Sequence, residues 1–183
     1  MQHVARPVLT ARHPVLVTLR MDKEVGNIRD RKKFAIVKGV LSSKIRDAFR
    51  CVHYSVMSNH IHMIVETADK ELLSNAVRAL QIKIAQRLNR LLGRKGRAFS
   101  DRYHARAMTT PRETRNGLAY TLLNRRKHGD RTRGIDPCST GHSFDGFKNQ
   151  QQLERPPFAP RTWLLNVGWR RHGLIDLSEI PGH

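Results

Sequence analysis

The chain of 183 residues is long enough for one cored domain and some extra, and its 34 lysines and arginines against 15 carboxylates give a formal charge of +19 and an isoelectric point near 11.3. Such an imbalance costs self-repulsion, has no use in a small-metabolite enzyme and attracts a polyanion; spread through 29–33, 78–97, 125–127 and 170–171, it implies a folded basic face for nucleic acid rather than a disordered arm. Cys51 and Cys138, with no CxxC spacing, exclude a zinc knuckle or disulfide framework, and no apolar run suits a membrane span or signal peptide, so the protein is expected to be cytoplasmic and nucleoid-associated.

After an irregular lead-in over residues 1–13, Pro14 to Arg20 alternates β-branched residues and predicts a strand. Asp30 is placed to cap a helix running to about Phe49, with Phe34, Val37, Leu41, Ile45 and Ala48 three or four apart. Cys51 to Glu66 predicts two strands joined by a tight Ser58-Asn59 turn. Tyr54 shares a face with Val52 and Val56 on that pattern and belongs to the core. Asp69 then caps a long helix to Leu92, with Leu73, Val77, Leu80, Ile84, Leu88 and Leu91 on one stripe, Arg78, Gln86 and Arg90 opposite, and Gly93 at its end. Ala98 to Met108 predicts a fourth strand. Thr110-Pro111-Arg112-Glu113 is a capping box with proline at the first helical position, opening a helix to about His128 that Gly129 stops.

The order β-α-β-β-α-β-α predicts an α+β fold: a ferredoxin-like βαββαβ antiparallel sheet, two helices on one face, and an added C-terminal helix. Residues 1–129 form the domain on this reading, and 130–183 form a linker and basic C-terminal tail. Composition marks 131–161 as linker or meandering surface. Residues 163–173 predict a short basic amphipathic helix that docks on the core, because Leu164, Leu165 and Val167 need burial.

Strand alternation points His60 and His62 to one face while Ile61 and Met63 enter the core. Two imidazoles on one face are half of a metal site, although most strand histidines are only packing residues. Tyr120 and Asn124, at i and i+4 on the capped helix, offer a phenol and a side-chain oxygen. The mixed set His60, His62 and Asn124 suits a hard divalent ion, Mg²⁺ or Mn²⁺, holding a phosphate. A phenol titrates near about 10 and is a poor nucleophile at neutral pH, a difficulty that a divalent ion on the scissile phosphate addresses. Tyr103, in Asp101-Arg102-Tyr103-His104, is the second candidate nucleophile or a base-stacking residue. Arg102, Tyr103, Arg125, Arg126 and Lys127 are candidate DNA contacts. His53 and His104 are read as surface residues or auxiliary ligands, and no carboxylate cluster suits a two-metal nuclease.

Met57-Ser58-Asn59-His60-Ile61-His62-Met63-Ile64-Val65 resembles the histidine signature of the HUH-type single-tyrosine transposases, in the branch of REP-associated tyrosine transposases (IS200-like). Asp101 to His104 is similar to the segment before the last helix of that family, and Leu118-Ala119-Tyr120-Thr121-Leu122-Leu123-Asn124 to its Tyr-x-x-x-Asn helix. The likeness spans roughly Pro14 to Gly129. It implies a single-stranded DNA transesterase with Tyr120 as nucleophile, His60, His62 and Asn124 as metal ligands, a 5′-phosphotyrosine intermediate and a released 3′-hydroxyl. It further implies that single-stranded DNA bearing hairpins, at repeats or element ends, is the partner of a monomer or homodimer. Ser58 stands where the family has proline, and Arg125 stands where proline commonly follows the asparagine, so the helix is expected to continue.

Two other classes compete. A catalytically inactive nucleic-acid-binding protein on the same fold would keep the charge and lose the chemistry, although the sheet lacks the paired exposed aromatics of an RNA-recognition module. A two-histidine phosphodiesterase would need a second His-x-Thr/Ser element, and none is convincing.

Overall fold

The computed structural model describes residues 9–45, 48–127, 134–148 and 154–182. Four strands, β1 (Val15–Arg20), β2 (Phe49–Val56), β3 (His60–Thr67) and β4 (His104–Ala107), form one antiparallel sheet in the order β2-β3-β1-β4. With α1 (Arg31–Leu41) after β1 and α2 (Lys70–Leu92) after β3, this is the ferredoxin-like plan, and α3 (Pro111–Leu122) follows β4. The helices start where their caps stand. Asp30 accepts from the backbone N–H of Lys32 and Lys33, Asp69 from Leu72, and Thr110 and Glu113 close a reciprocal capping box. Gly93, at φ 61°, ends α2 in the left-handed conformation.

Both faces of the sheet are covered. On one, α1 and α2 bury Val37, Leu41, Leu73, Leu80, Ile84 and Leu88 against Val17, Ile61, Met63 and Val65. On the other, α3 brings Leu118 and Leu122 onto Val52 and Ile64. Burial from two sides makes β2 and β3 nearly continuous buried runs. Each large aliphatic side chain enclosed this way stabilises the fold by roughly 1.5–3 kcal/mol.

The described segments 134–148 and 154–182 contribute to that second layer. Phe144, Phe147, Leu165, Trp169 and Ile175 join Leu118 and Ile64 in one cluster, and residues 136–140 pair with the outer edge of β2. The glycine- and proline-rich composition that suggested a linker marks irregular backbone, which here is packed. Within 163–173 the amphipathic helix is one α-turn (Trp163–Asn166) and one 3₁₀ segment (Gly168–His172). Leu164 and Leu165 are buried as expected, but Val167 is exposed and Trp169 is enclosed in its place, donating its indole N–H to the Leu165 carbonyl at 3.1 Å. Glu66, buried at the end of β3, anchors this tail by accepting the backbone N–H groups of Arg161 and Thr162 while paired with Arg50.

Four local expectations differ. Helix α1 ends at Leu41 rather than near Phe49, where the Ser43 hydroxyl donates to the Val40 carbonyl and competes with helix continuation. A bulge between Cys51 and His53 breaks strict alternation in β2, so Val52 faces the second layer while Tyr54 and Val56 stay in the first. The fourth strand begins at His104, and before it only Phe99 bridges Met21. Helix α3 stops at Leu122; Leu123 leaves helical geometry (φ −109°, ψ 15°), and a separate turn, α4 (Asn124–Lys127), follows. The stop expected at His128 and Gly129 lies outside the described residues.

Candidate active site

The β2–β3 turn is fixed by backbone bonds from two other segments, Met21 N–H to the Asn59 carbonyl at 2.8 Å and Ile28 N–H to the Ser58 carbonyl at 2.9 Å. From it β3 sends His60, His62, Ile64 and Glu66 to the face that α3 and the tail cover. The rings of His60 and His62 lie parallel, 6.0 Å between centroids and 5° between planes. His62 is buried; His60 is half-buried. Each holds its Nδ1 against a neighbour. Thr18, opposite His62 on β1, places Oγ1 at 3.0 Å, and the Asn59 side-chain oxygen lies 2.6 Å from His60 Nδ1. Contacts of this kind fix ring orientation in metal-binding histidines, and with Nδ1 so engaged Nε2 is the nitrogen each ring would offer to an ion.

Tyr120, on the last turns of α3, meets His62 edge to face with centroids 5.2 Å apart. The other tyrosines are elsewhere. Tyr54 is buried in the first layer, its phenol pushed up to about 12 by burial. Tyr103 precedes β4 and packs on that same layer. Asn124 is fully buried, and neither polar atom of its amide has a hydrogen-bond partner. An orphaned amide in the interior is costly unless something polar completes it.

Among the described residues no group of three or more His, Cys, Asp or Glu side chains comes together, so a metal here would depend on the mixed set of two imidazoles and an amide oxygen. The donors fit a hard divalent ion: thiolates are absent from the set, the histidines are oriented through Nδ1, and Asn124 has an unsatisfied oxygen. A cavity of about 460 Å³ opens beside Tyr120, lined by Thr18, Arg106, Arg115, Asn116 and the segment from Glu179. Arg115 forks onto the Glu179 carboxylate at 2.7 and 3.0 Å and reaches the Gly173 and Leu174 carbonyls, tying that segment to α3.

The candidate DNA contacts divide. Arg102 is exposed and Tyr103 half-buried. Arg125 is partly buried, 3.7 Å from the carboxylate of Asp136, and Arg126 is half-buried. The side chain of Lys127 lies outside the described residues. His104 is exposed, but His53 is not a surface residue. The bulge turns it inward against Phe144, 5.4 Å between centroids, and burial lowers its pKa to about 4. Thr18 and Asp136 escaped sequence reasoning because a strand threonine and an aspartate in a loop carry no pattern. The only signal was register, which the sequence does not display.

The sequence matches the family model described as "Transposase IS200 like" over residues 11–116, more than half of the chain. The chain belongs to the IS200-like transposase family. The match covers the histidine hairpin and stops four residues before Tyr120. A search of the curated proteins finds no match. Among solved structures, a REP-associated tyrosine transposase bound to a REP hairpin is 17% identical, aligning over 78% of this chain and 84% of its own with a TM-score of 0.59, so the two share a fold. A Deinococcus radiodurans R1 protein assigned as a transposase is 14% identical over 60% of this chain and 85% of its own, with a TM-score of 0.41. No helix among the described residues is long and apolar enough to cross a membrane.

Proposed function

We propose that the protein is a metal-dependent transesterase of single-stranded DNA that cleaves and rejoins strands through Tyr120. The observation that carries this reading is the edge-to-face contact of Tyr120 with His62, on the face where His60 and His62 stand side by side. The phenolic oxygen attacks phosphorus and loses its proton. The bond from phosphorus to the 3′ oxygen breaks, that oxygen takes up a proton, and the 5′ phosphate remains esterified to tyrosine. Attack by a 3′-hydroxyl reverses the step, so energy is conserved in the ester.

His60, His62 and Asn124 are the residues that would hold a Mg²⁺ or Mn²⁺ ion, which when bound neutralises charge on the phosphoryl oxygens. Thr18 and Asn59 orient the imidazoles, and α3 sets the phenol against His62. The cavity at Tyr120, with Arg106 and Arg115 in its walls, is an entry for a single strand. The REP hairpin bound by the structural relative and the strong positive charge of this chain support hairpin-bearing DNA as the substrate class.

The break after Leu122 favours the competing reading, a DNA-binding protein without catalysis, because Asn124 does not continue the helix of Tyr120. The deciding experiment incubates the protein with labelled single-stranded DNA carrying hairpins from the flanks of its gene, with Mn²⁺ or EDTA. A covalent adduct on a denaturing gel that needs both metal and Tyr120 is expected. Tight binding without an adduct, on strands spanning the true site, would establish the binding protein instead.

A further inference from the structure

Asp136 lies outside every element of the proposed chemistry, yet it touches the supports of both halves. Its carboxylate is buried and takes the forked guanidinium of Arg29 at 2.7 and 2.8 Å and the backbone N–H of Cys138 at 2.9 Å. Arg125 approaches the same carboxylate at 3.7 Å. Arg29 also donates to the carbonyl of Val56 at 2.8 Å, on the last residue of β2 before the turn that delivers His60. The segment bearing Asp136 is itself fixed, with Val56 N–H on the Cys138 carbonyl and Thr140 N–H on that of Tyr54.

On the other side stands the turn that begins with Asn124. Because Leu123 departs from helical dihedrals, the direction of Asn124 is not inherited from Tyr120. It depends on what holds residues 124–127 to the body, and one such hold is the ion pair of Arg125, next in the chain, with Asp136 at 3.7 Å. The geometry points to Asp136 as a positioning residue that keeps the Asn124 turn in register with the histidine hairpin, an inference that rests on the metal-binding reading above. Neutralising this carboxylate removes the counter-charge that Arg29 and Arg125 share, and the Asn124 turn loses that hold.

A purely structural ion pair would lower stability and leave ion affinity alone, so the test reads affinity directly. Mn²⁺ binding to the full chain is followed by loss of the free-ion electron paramagnetic resonance signal, alongside thermal melting. The proteins compared are wild type, Asp136→Asn, Asn124→Ala, the double variant and His62→Ala. Asp136→Asn is expected to weaken binding about tenfold, the scale typical of residues that orient ligands, and to add no further loss in the Asn124→Ala background. Arg125→Gln, which leaves the fork between Arg29 and Asp136 in place, carries the same expectation should Asp136→Asn fail to fold.

Binding that depends on His62 but is untouched in both Asp136→Asn and Arg125→Gln would overturn the positioning role alone. So would losses that multiply in the double variant. Wild-type binding that is absent, or indifferent to His62→Ala, would overturn the metal reading and the positioning role with it.

Discussion

The ring of Tyr120 stands edge-on to that of His62, with centroids 5.2 Å apart and planes at 78°. The contact belongs to the ring, whereas the proposed chemistry belongs to the hydroxyl, and the two can be separated. Tyr120→Phe keeps the ring packing and removes the oxygen, so it is expected to stay folded and to form no covalent DNA adduct. Tyr103→Phe, altered on the opposite layer, is expected to retain it. An adduct persisting in Tyr120→Phe would move the nucleophile elsewhere.

Thr18 would act one step back from the proposed ion. Its hydroxyl is 3.0 Å from His62 Nδ1, and Thr18→Val conserves shape while deleting that partner. Loss of an orienting hydrogen bond on a ligand histidine typically costs 10–100-fold in metal affinity or activity, so the Mn²⁺ concentration giving half-maximal adduct should rise by about that factor. An unshifted midpoint would mean that the sheet alone orients the ring.

Acidification should weaken the fold through His53. Burial lowers its pKa from 6.5 to about 4, although the nearby Asp145 charge works the other way. Between those values the unfolded chain holds a proton that the folded chain refuses. The contribution is therefore intact above about 6.5, shrinks as the pH falls, and is gone below about 4. Its full size is about 3 kcal/mol by linkage. Urea midpoints measured across this window should fall with pH in the wild type and flatten in His53→Gln; parallel curves would remove His53 as the cause.

Gly146 is where the second layer tolerates no addition. A Cβ built there would stand 2.2 Å from Trp169 and 2.4 Å from Phe144, both rings enclosed in the cluster. Gly146→Ala is expected to destabilise by about 1–3 kcal/mol, the usual cost of overpacking. An unchanged melting temperature would show that the tail rearranges freely.

The plan of the fold was readable because its signals are local. Three caps, two helical stripes and the alternation of His60 to Val65 each show as a pattern along one stretch of chain. Legibility failed where one residue of slippage or a distant partner decides. The bulge at Cys51 and His53 inverts inside and outside for His53, and the termination at Leu122 leaves Asn124 to be oriented from afar. The packing of Trp169 and Phe147 onto Ile64 joins segments with no pattern in common, and only the tertiary structure brings them together. The neighbourhood of His60, His62 and Tyr120 followed from strand alternation and the capped helix; Thr18, Asp136 and Arg29 entered through geometry alone.

The covering of β3 from two sides also sets an order of events at the ribosome. Its inner partners on α1 and α2 straddle it in time, with α1 made before and α2 directly after, so that layer can close early. The residues that shield Val52 and Ile64, from Met108 to Ile175, emerge last. For that interval the nascent chain presents a half-naked sheet, with the short strand β4 already made at its outer edge. A fragment ending near residue 110 should therefore self-associate through that bare face, and the full chain should depend on a holding chaperone until its final third is translated.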